Sequence, residues 1–263
     1  MKINITHNEN EYQIDPENGT SISIPVKFNN NQNPKFYDVS NPEKKYFQSS
    51  GVEYNINKGA GCNVPTITMN IHCAGTHTET ANHVLKNAPL ISDLKNLNFI
   101  PSQLVSVNPE RQIYEKYHVS YSKSDSIITK KQLQKLIDTT HNAFTDSIII
   151  RTLPNHEDKK SRNYNLNHHP FLSNDAINFI KRIGFQHIVI DTPSIDRYED
   201  DGKLGNHKLF FTSDDGKVNN NTITELAFIP NNCLDGKYFL CIGIPSLDLD
   251  AAPSHPIIYK IRN

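Results

Sequence analysis

Residues 173–191 read SNDAINFIKRIGFQHIVID. Ser173 can cap a helix, Asp175 suits a first turn, and Ile177, Ile180 and Ile183 recur at helical spacing before Gly184 ends the segment. HIVID (187–191) then reads as a strand buried on both faces. Working outward, SIIIRT (147–152) is a second such strand, and TKKQLQKLIDTTHNA (129–143) a second helix, with Thr129 as its cap and Leu133, Leu136 and Ile137 facing inward. TITELAFI (222–229) and YFLCIGIP (238–245) add strands. Residues 64–72 alternate, with Ile67, Met69 and Ile71 on one face and Thr66, Thr68, Asn70 and His72 on the other, which predicts a half-buried strand. Polar stretches at 28–35, 154–169 and 212–221 read as loops, the last with a turn at Asp215-Gly216. Helices and buried strands mix along the whole length without an internal repeat or long linker. The expectation is an α/β protein of one domain, residues 1–263.

Composition narrows the function. The formal net charge is -1, so no basic field exists to attract nucleic acid or an anionic membrane, and a small-molecule substrate is expected. No apolar run reaches the length of a membrane span, and the polar start MKINITHNENEYQ lacks a secretory core. Cys62, Cys73, Cys233 and Cys241 form no regular framework and read as reduced thiols of a cytoplasmic protein. Histidine, the commonest metal ligand, is the one compositional excess, with 12 copies.

The densest chemistry is HCAGTHTETANH, residues 72–83. His72, His77, Glu79 and His83 supply the imidazole and carboxylate groups that zinc or manganese prefer. His77 and Glu79 are two residues apart, so an extended backbone points both to one side. Gly75 is expected to fold the chain sharply and bring His72 towards His77.

These residues resemble a family signature. Gly75-Thr76-His77-x-Glu79-x-x-x-His83 is similar to the H-x-G-T-H-x-D-x-P-x-H motif of the cyclase-like metal hydrolases, the family of bacterial kynurenine formamidase and isatin hydrolase. IDTPSID (190–196), SIIIRT and HPFLSNDAINFIKRIGF (169–185) resemble further family stretches in the same order, so the likeness covers about residues 60–258 and leaves 1–59 as a more variable N-terminal part. The resemblance implies a mixed, partly barrel-like sheet flanked by helices, of the swivelling β/β/α type. It implies one or two ions, Zn2+ or Mn2+. His72, His77 and Glu79 would hold the first, Glu79 with His207 and Glu225 the second, and His83 would move the proton. An arylformamidase-like hydrolysis of a formamide or lactam follows, as in tryptophan catabolism, in a homodimer or higher homo-oligomer.

This chain departs from the motif in three places. His72 is one residue further from the glycine than the family's first histidine, and Cys73 occupies the nominal ligand position; strand alternation favours His72. Glu79 stands where the family has aspartate, and Ala81 where it has proline. The departures suggest a divergent branch whose substrate need not be the formylated tryptophan catabolite.

Other groups have weaker claims. Asp191 and Asp196 flank a strand end, where they could cap a turn, pair with Arg197 or Arg151, or brace the site from behind; Ser194 could bind substrate or water. His118, His141, His156, His168, His169, His187 and His255 read as structural or surface histidines. Phe36, Tyr37 and Tyr46 could line a pocket for a planar substrate. Two rivals to a hydrolase stand: a non-catalytic metal- or ligand-binding protein on the same scaffold, and a metal-dependent lyase or isomerase.

Overall fold

The isoleucine- and valine-rich runs form the middle of one mixed sheet in the computed structural model, which describes residues 2–111, 114–140 and 143–262. Its strands are β1 (Ile3–His7), β2 (Asn10–Ile14), β3 (Thr20–Ser21), β4 (His77–Glu79), β5 (Ile100–Val107), β6 (Ser147–Thr152), β7 (His187–Ile190), β8 (Thr222–Glu225), β9 (Gly236–Gly243), β10 (Ala251–Pro253) and β11 (His255–Arg262). The helices are α1 (Lys130–Leu136), α2 (Asn174–Ile183) and α3 (Gly205–Phe211). The strands lie in the order β1-β2-β11-β9-β5-β6-β7-β8-β4-β10, with β3 also on β11. The four central strands β5 to β8 are mutually parallel. Strands β4, β9, β10 and β11 pair antiparallel.

The double-sided apolar character of the central strands has a physical reason. On β6, Ile148 and Ile150 face a helical layer that includes Leu133 of α1, Ile177 and Ile180 of α2, and Phe210 and Phe211 of α3. Ile149 faces the other way, beside Leu104 of β5 and Val189 of β7. That second face curls into a partial barrel. β3 pairs with β11, and just beyond it Ser23 bridges Ala227, past the end of β8. Ile22, Leu240 and Ile258 fill the concave interior so formed. The expected α/β class, with a partly barrel-like mixed sheet flanked by helices, is what the structure has.

α2 behaves as its sequence dictates: the Ser173 hydroxyl accepts from Ala176 N, and Gly184 closes the helix in the left-handed region at φ 104. α1 starts at its expected cap, where Thr129 and Gln132 bond each other reciprocally. It stops at Leu136 instead of running to 143, because the buried Gln103 amide donates to Asp138 O and accepts from Asp138 N. His141, read as structural, lies outside the described residues together with Asn142.

Two strand expectations need correction. The half-buried strand over 64–72 is only Pro65–Thr68, exposed throughout, and pairs with Glu43–Tyr46 in a ribbon outside the main sheet. Alternating hydrophobicity there does not mark a buried face, and His72 belongs to the 3-10 turn Ile71–Cys73. The strand over 222–229 ends at Glu225, because Leu226 turns at φ 52 and donates its N–H to Thr192 O. The stretches 28–35, 154–169 and 212–221 are loops, apart from short 3-10 and bridge contacts. No helix among the described residues is long and apolar enough to cross a membrane.

Candidate metal centre

Sheet register builds the deep half of the site. β4 runs antiparallel to β8 with His77 opposite Glu225 and Glu79 opposite Ile223. Side chains alternate along a strand, so His77, Glu79 and Glu225 share one face. Thr78 and Thr224 share the other and bond each other at 2.7 Å. His207 enters this face from α3. Its Nε2 lies 2.8 Å from Glu79 Oε1 and 3.4 Å from Glu225 Oε1. His77 Nε2 lies 3.6 Å from Glu225 Oε2.

Each deep group is held from behind. His77 Nδ1 is 3.0 Å from the Gly75 carbonyl, which suits an Nδ1–H donor and leaves Nε2 as the free lone pair. His207 Nδ1 meets Asp196 Oδ2 at 2.7 Å, and Asp196 also accepts from Asn206 N, His207 N and the Tyr117 hydroxyl. Glu225 Oε1 accepts from Ile195 N at 2.8 Å. Asp196 therefore braces the site, as one of its sequence readings allowed; Arg151 and Arg197 pair with Asp235 and Asp125 instead.

Facing inward, the same groups go unsatisfied. His77 Nε2, both carboxylate oxygens of Glu79 and His207 Nε2 are buried and, among the described residues, have no partner outside this cluster, meeting only one another, His72, His83 and Glu225 as charged neighbours. Buried polar atoms without partners cost about 1–3 kcal/mol each. Several such atoms converging from β4 and α3 are the donor set a divalent cation would satisfy.

The outer half sits on turns. His72 Nδ1 is 3.3 Å from Glu79 Oε2. His83, in the turn Ala81–His83 capped by Thr80, places Nε2 3.8 Å from the same oxygen. Both rings turn their other nitrogen to Asp250 Oδ2, each at 3.0 Å, and stack with centroids 4.2 Å apart. Sequence reading missed Asp250. It precedes β10, whose Ala251 pairs with Glu79. The chain bends at Gly75 and the rings of His72 and His77 lie 5.2 Å apart; a Cβ on Gly75 would also crowd Val26 Cγ2 at 2.8 Å and Ile24 O at 3.2 Å. Cys73 is buried against Phe36, Tyr164 and Leu226, and burial pushes its thiol up to about 11. The clusters of ligand-type atoms include His72 and not Cys73, among the described residues.

Charge completes the centre. Burial opposes a charged His72, but its hydrogen bond to Asp250, the close approach of Glu79 and the charges of both push it up to about 10. Burial likewise opposes a charged His207, and the charge of Glu79 with the bonds to Asp196 and Glu225 overrides it, raising the imidazole well above its usual range. Glu79, despite burial that favours its neutral form, is held well below the ordinary carboxylate range by the charges of His207 and His83. The protein thus keeps a protonated, carboxylate-rich pocket where a cation could replace protons.

A cavity of about 260 Å³ opens onto the outer half. Phe36 and Tyr37 line it with His72, His83 and Ser194, whereas Tyr46 lies on the peripheral ribbon. Asp191 takes no part: it is buried against Lys159 and Thr152. His118 does more than expected, lying 3.4 Å from Asp200 and 3.7 Å from Asp196. His169 is buried and donates towards Asp196 O, His187 contacts the Thr222 hydroxyl, and His255 is exposed beside Ser21.

The family model described as "Putative cyclase" matches residues 4–197. This chain belongs to the cyclase family. His207, Glu225 and Asp250 lie beyond the matched residues, so their place in the site comes from the fold. No curated protein matches the chain by sequence. Solved structures share the fold. A predicted metal-dependent hydrolase from Bacillus stearothermophilus is 18% identical with a TM-score of 0.61, covering 92% of this chain and 97% of that one. An isatin hydrolase bound to the product analogue thioisatinate is 11% identical with a TM-score of 0.62, covering 92% and 93%. Isatin hydrolase A from Labrenzia aggregata, bound to benzyl benzoate, is 14% identical with a TM-score of 0.59, covering 100% and 94%.

Proposed function

We propose that this cyclase-family chain is a metal-dependent hydrolase that cleaves a formamide or lactam C–N bond of a small molecule. The observation that carries the reading is a pair of ligand-type clusters that share the buried Glu79, one with His72 and His77 and one with His83 and His207, beside Glu225. These residues fit a divalent ion, Zn2+ or Mn2+, one or two per chain. Bound there, the ion would supply Lewis acidity and lower the pKa of coordinated water to about 7.

The chain's own residues do the rest. His72, His77 and Glu79 would hold one ion, with His72 outermost, and Glu79, His207 and Glu225 would hold a second. His83 faces both the centre and the cavity, and its side chain is 23% exposed while that of Glu79 is 0%. A substrate can therefore reach His83, whose Nε2 takes a proton from the attacking water and returns it to the leaving nitrogen. Phe36 and Tyr37 give the cavity an aromatic wall for a flat substrate. Cytoplasmic residence and a homodimer or higher homo-oligomer belong to the same reading. The test is metal analysis of the purified protein followed by a screen of N-formyl aryl amines and cyclic amides in oxygen-18 water. Label in the product carboxylate is the expected result. Metal-dependent turnover without label would mean lyase or isomerase chemistry instead.

A further inference from the structure

The outer half of the centre contains an arrangement the hydrolase reading does not use. A single oxygen, Asp250 Oδ2, is the partner of both His72 Nε2 and His83 Nδ1. An ionised carboxylate only accepts, so each histidine must present an N–H to it. That leaves His72 Nδ1 and His83 Nε2 as the nitrogens facing Glu79. The two rings stack at 26°, so neither can flip without displacing the other. Asp250 itself is anchored through the main chain: Thr80 N donates to Asp250 O at 2.9 Å, and the next residue, Ala251, pairs with Glu79.

We propose that Asp250 is a positioning residue that fixes the tautomers of His72 and His83 together, coupling the outermost metal ligand to the proton-transfer group. One carboxylate then serves two functions. It makes His72 Nδ1 a lone-pair donor to the ion, and it leaves His83 Nε2 free to exchange a proton with substrate. Outer hydrogen bonds of this type commonly change metal affinity by about 10–100-fold. The inference rests on the metal-dependent reading above, and its consequence is specific: metal affinity and proton transfer fail together when Asp250 is lost.

The test uses full-length protein loaded with Zn2+, comparing wild type with Asp250→Ala and Asp250→Asn at one fixed pH. Nitrogen-15 NMR of the imidazoles reports the tautomers, chelator competition reports Zn2+ affinity, and kcat and KM are measured on the best amide from the screen. In the wild type, His83 is expected to carry its proton on Nδ1. In Asp250→Ala that preference disappears, Zn2+ affinity falls by about 10–100-fold, and kcat falls with little change in KM. Asp250→Asn, whose side-chain oxygen can still accept one N–H, lies between. Wild-type Zn2+ affinity in Asp250→Ala, with His83 still protonated on Nδ1, overturns the inference. If the wild type takes up Zn2+ but hydrolyses no amide, the hydrolase reading fails, while the affinity and tautomer measurements still decide the role of Asp250.

Discussion

The deep and outer halves of the centre are built differently. His77, Glu79 and Glu225 stand on paired strands, and His207 on a helix braced by Asp196, so backbone hydrogen bonds set their positions. His72 and His83 stand on 3-10 turns, partly exposed, and take their orientation from Asp250. The lesson is a division of labour. The rigid half can carry unsatisfied buried charge because the sheet cannot relax around it, and the softer half can admit substrate and exchange protons.

Substitutions should separate the halves. The largest effect is expected in the deep one. Glu79→Gln removes the carboxylate shared by both ligand groups, and metal affinity should drop by more than the roughly 100-fold seen when an outer partner is lost. Chelator competition measures it, and tight binding in that variant would make the two halves equivalent. His83→Ala should keep near-stoichiometric metal while turnover falls by about 10²–10⁴-fold, the usual worth of a general acid–base group. Unchanged turnover would remove His83 from the chemistry.

Stability sharpens the contrast from behind the site. Burial lowers the His169 imidazole to about 4, against an ordinary value of 6.5, while it donates towards Asp196 O. Below 6.5 the unfolded chain takes the proton first, so this histidine's contribution is fully present above that pH and lost as pH falls towards 4. The loss should approach about 3 kcal/mol at 1.36 kcal/mol per unit. His187 is lowered to about 4 by burial as well, so urea unfolding of chelated protein from pH 7 to 4.5 should show a steeper loss of stability in the wild type than in His169→Gln, which keeps only the His187 share. The smallest effect is expected at Thr78→Val, which strands the Thr224 hydroxyl on the face of β4 away from the metal groups. It should cost about 1–3 kcal/mol in thermal unfolding and leave metal affinity unchanged.

Legibility in the sequence follows the same division. The caps at Thr129 and Ser173, the isoleucine runs of β6 and β7, and the two-residue spacing of His77 and Glu79 are local signals, and the fold honours them. His207 and Glu225 were named only through the family likeness; their meeting with Glu79 depends on β4 lying beside β8, which no local pattern encodes. His72 reaches Glu79, but not by the expected alternation, since residues 65–68 form an exposed ribbon and a 3-10 turn intervenes. Asp250 was silent because an aspartate in a polar loop gains meaning only when β10 pairs with β4. The end of α1 was misplaced for a similar reason: the side chain that stops it, Gln103, comes from a distant strand.

The central claim is that the buried groups of β4, β8 and α3 exist to hold a divalent cation. The most direct measurement is titration of chelator-treated protein with Zn2+ and Mn2+ by calorimetry in buffers of different ionisation enthalpy near pH 7.5. The account predicts at least one tight ion per chain, accompanied by release of about two protons, because His72 and His207 must give theirs up to bind metal. Absence of saturable binding by either ion, with His72 and His207 retaining their protons throughout, would contradict it.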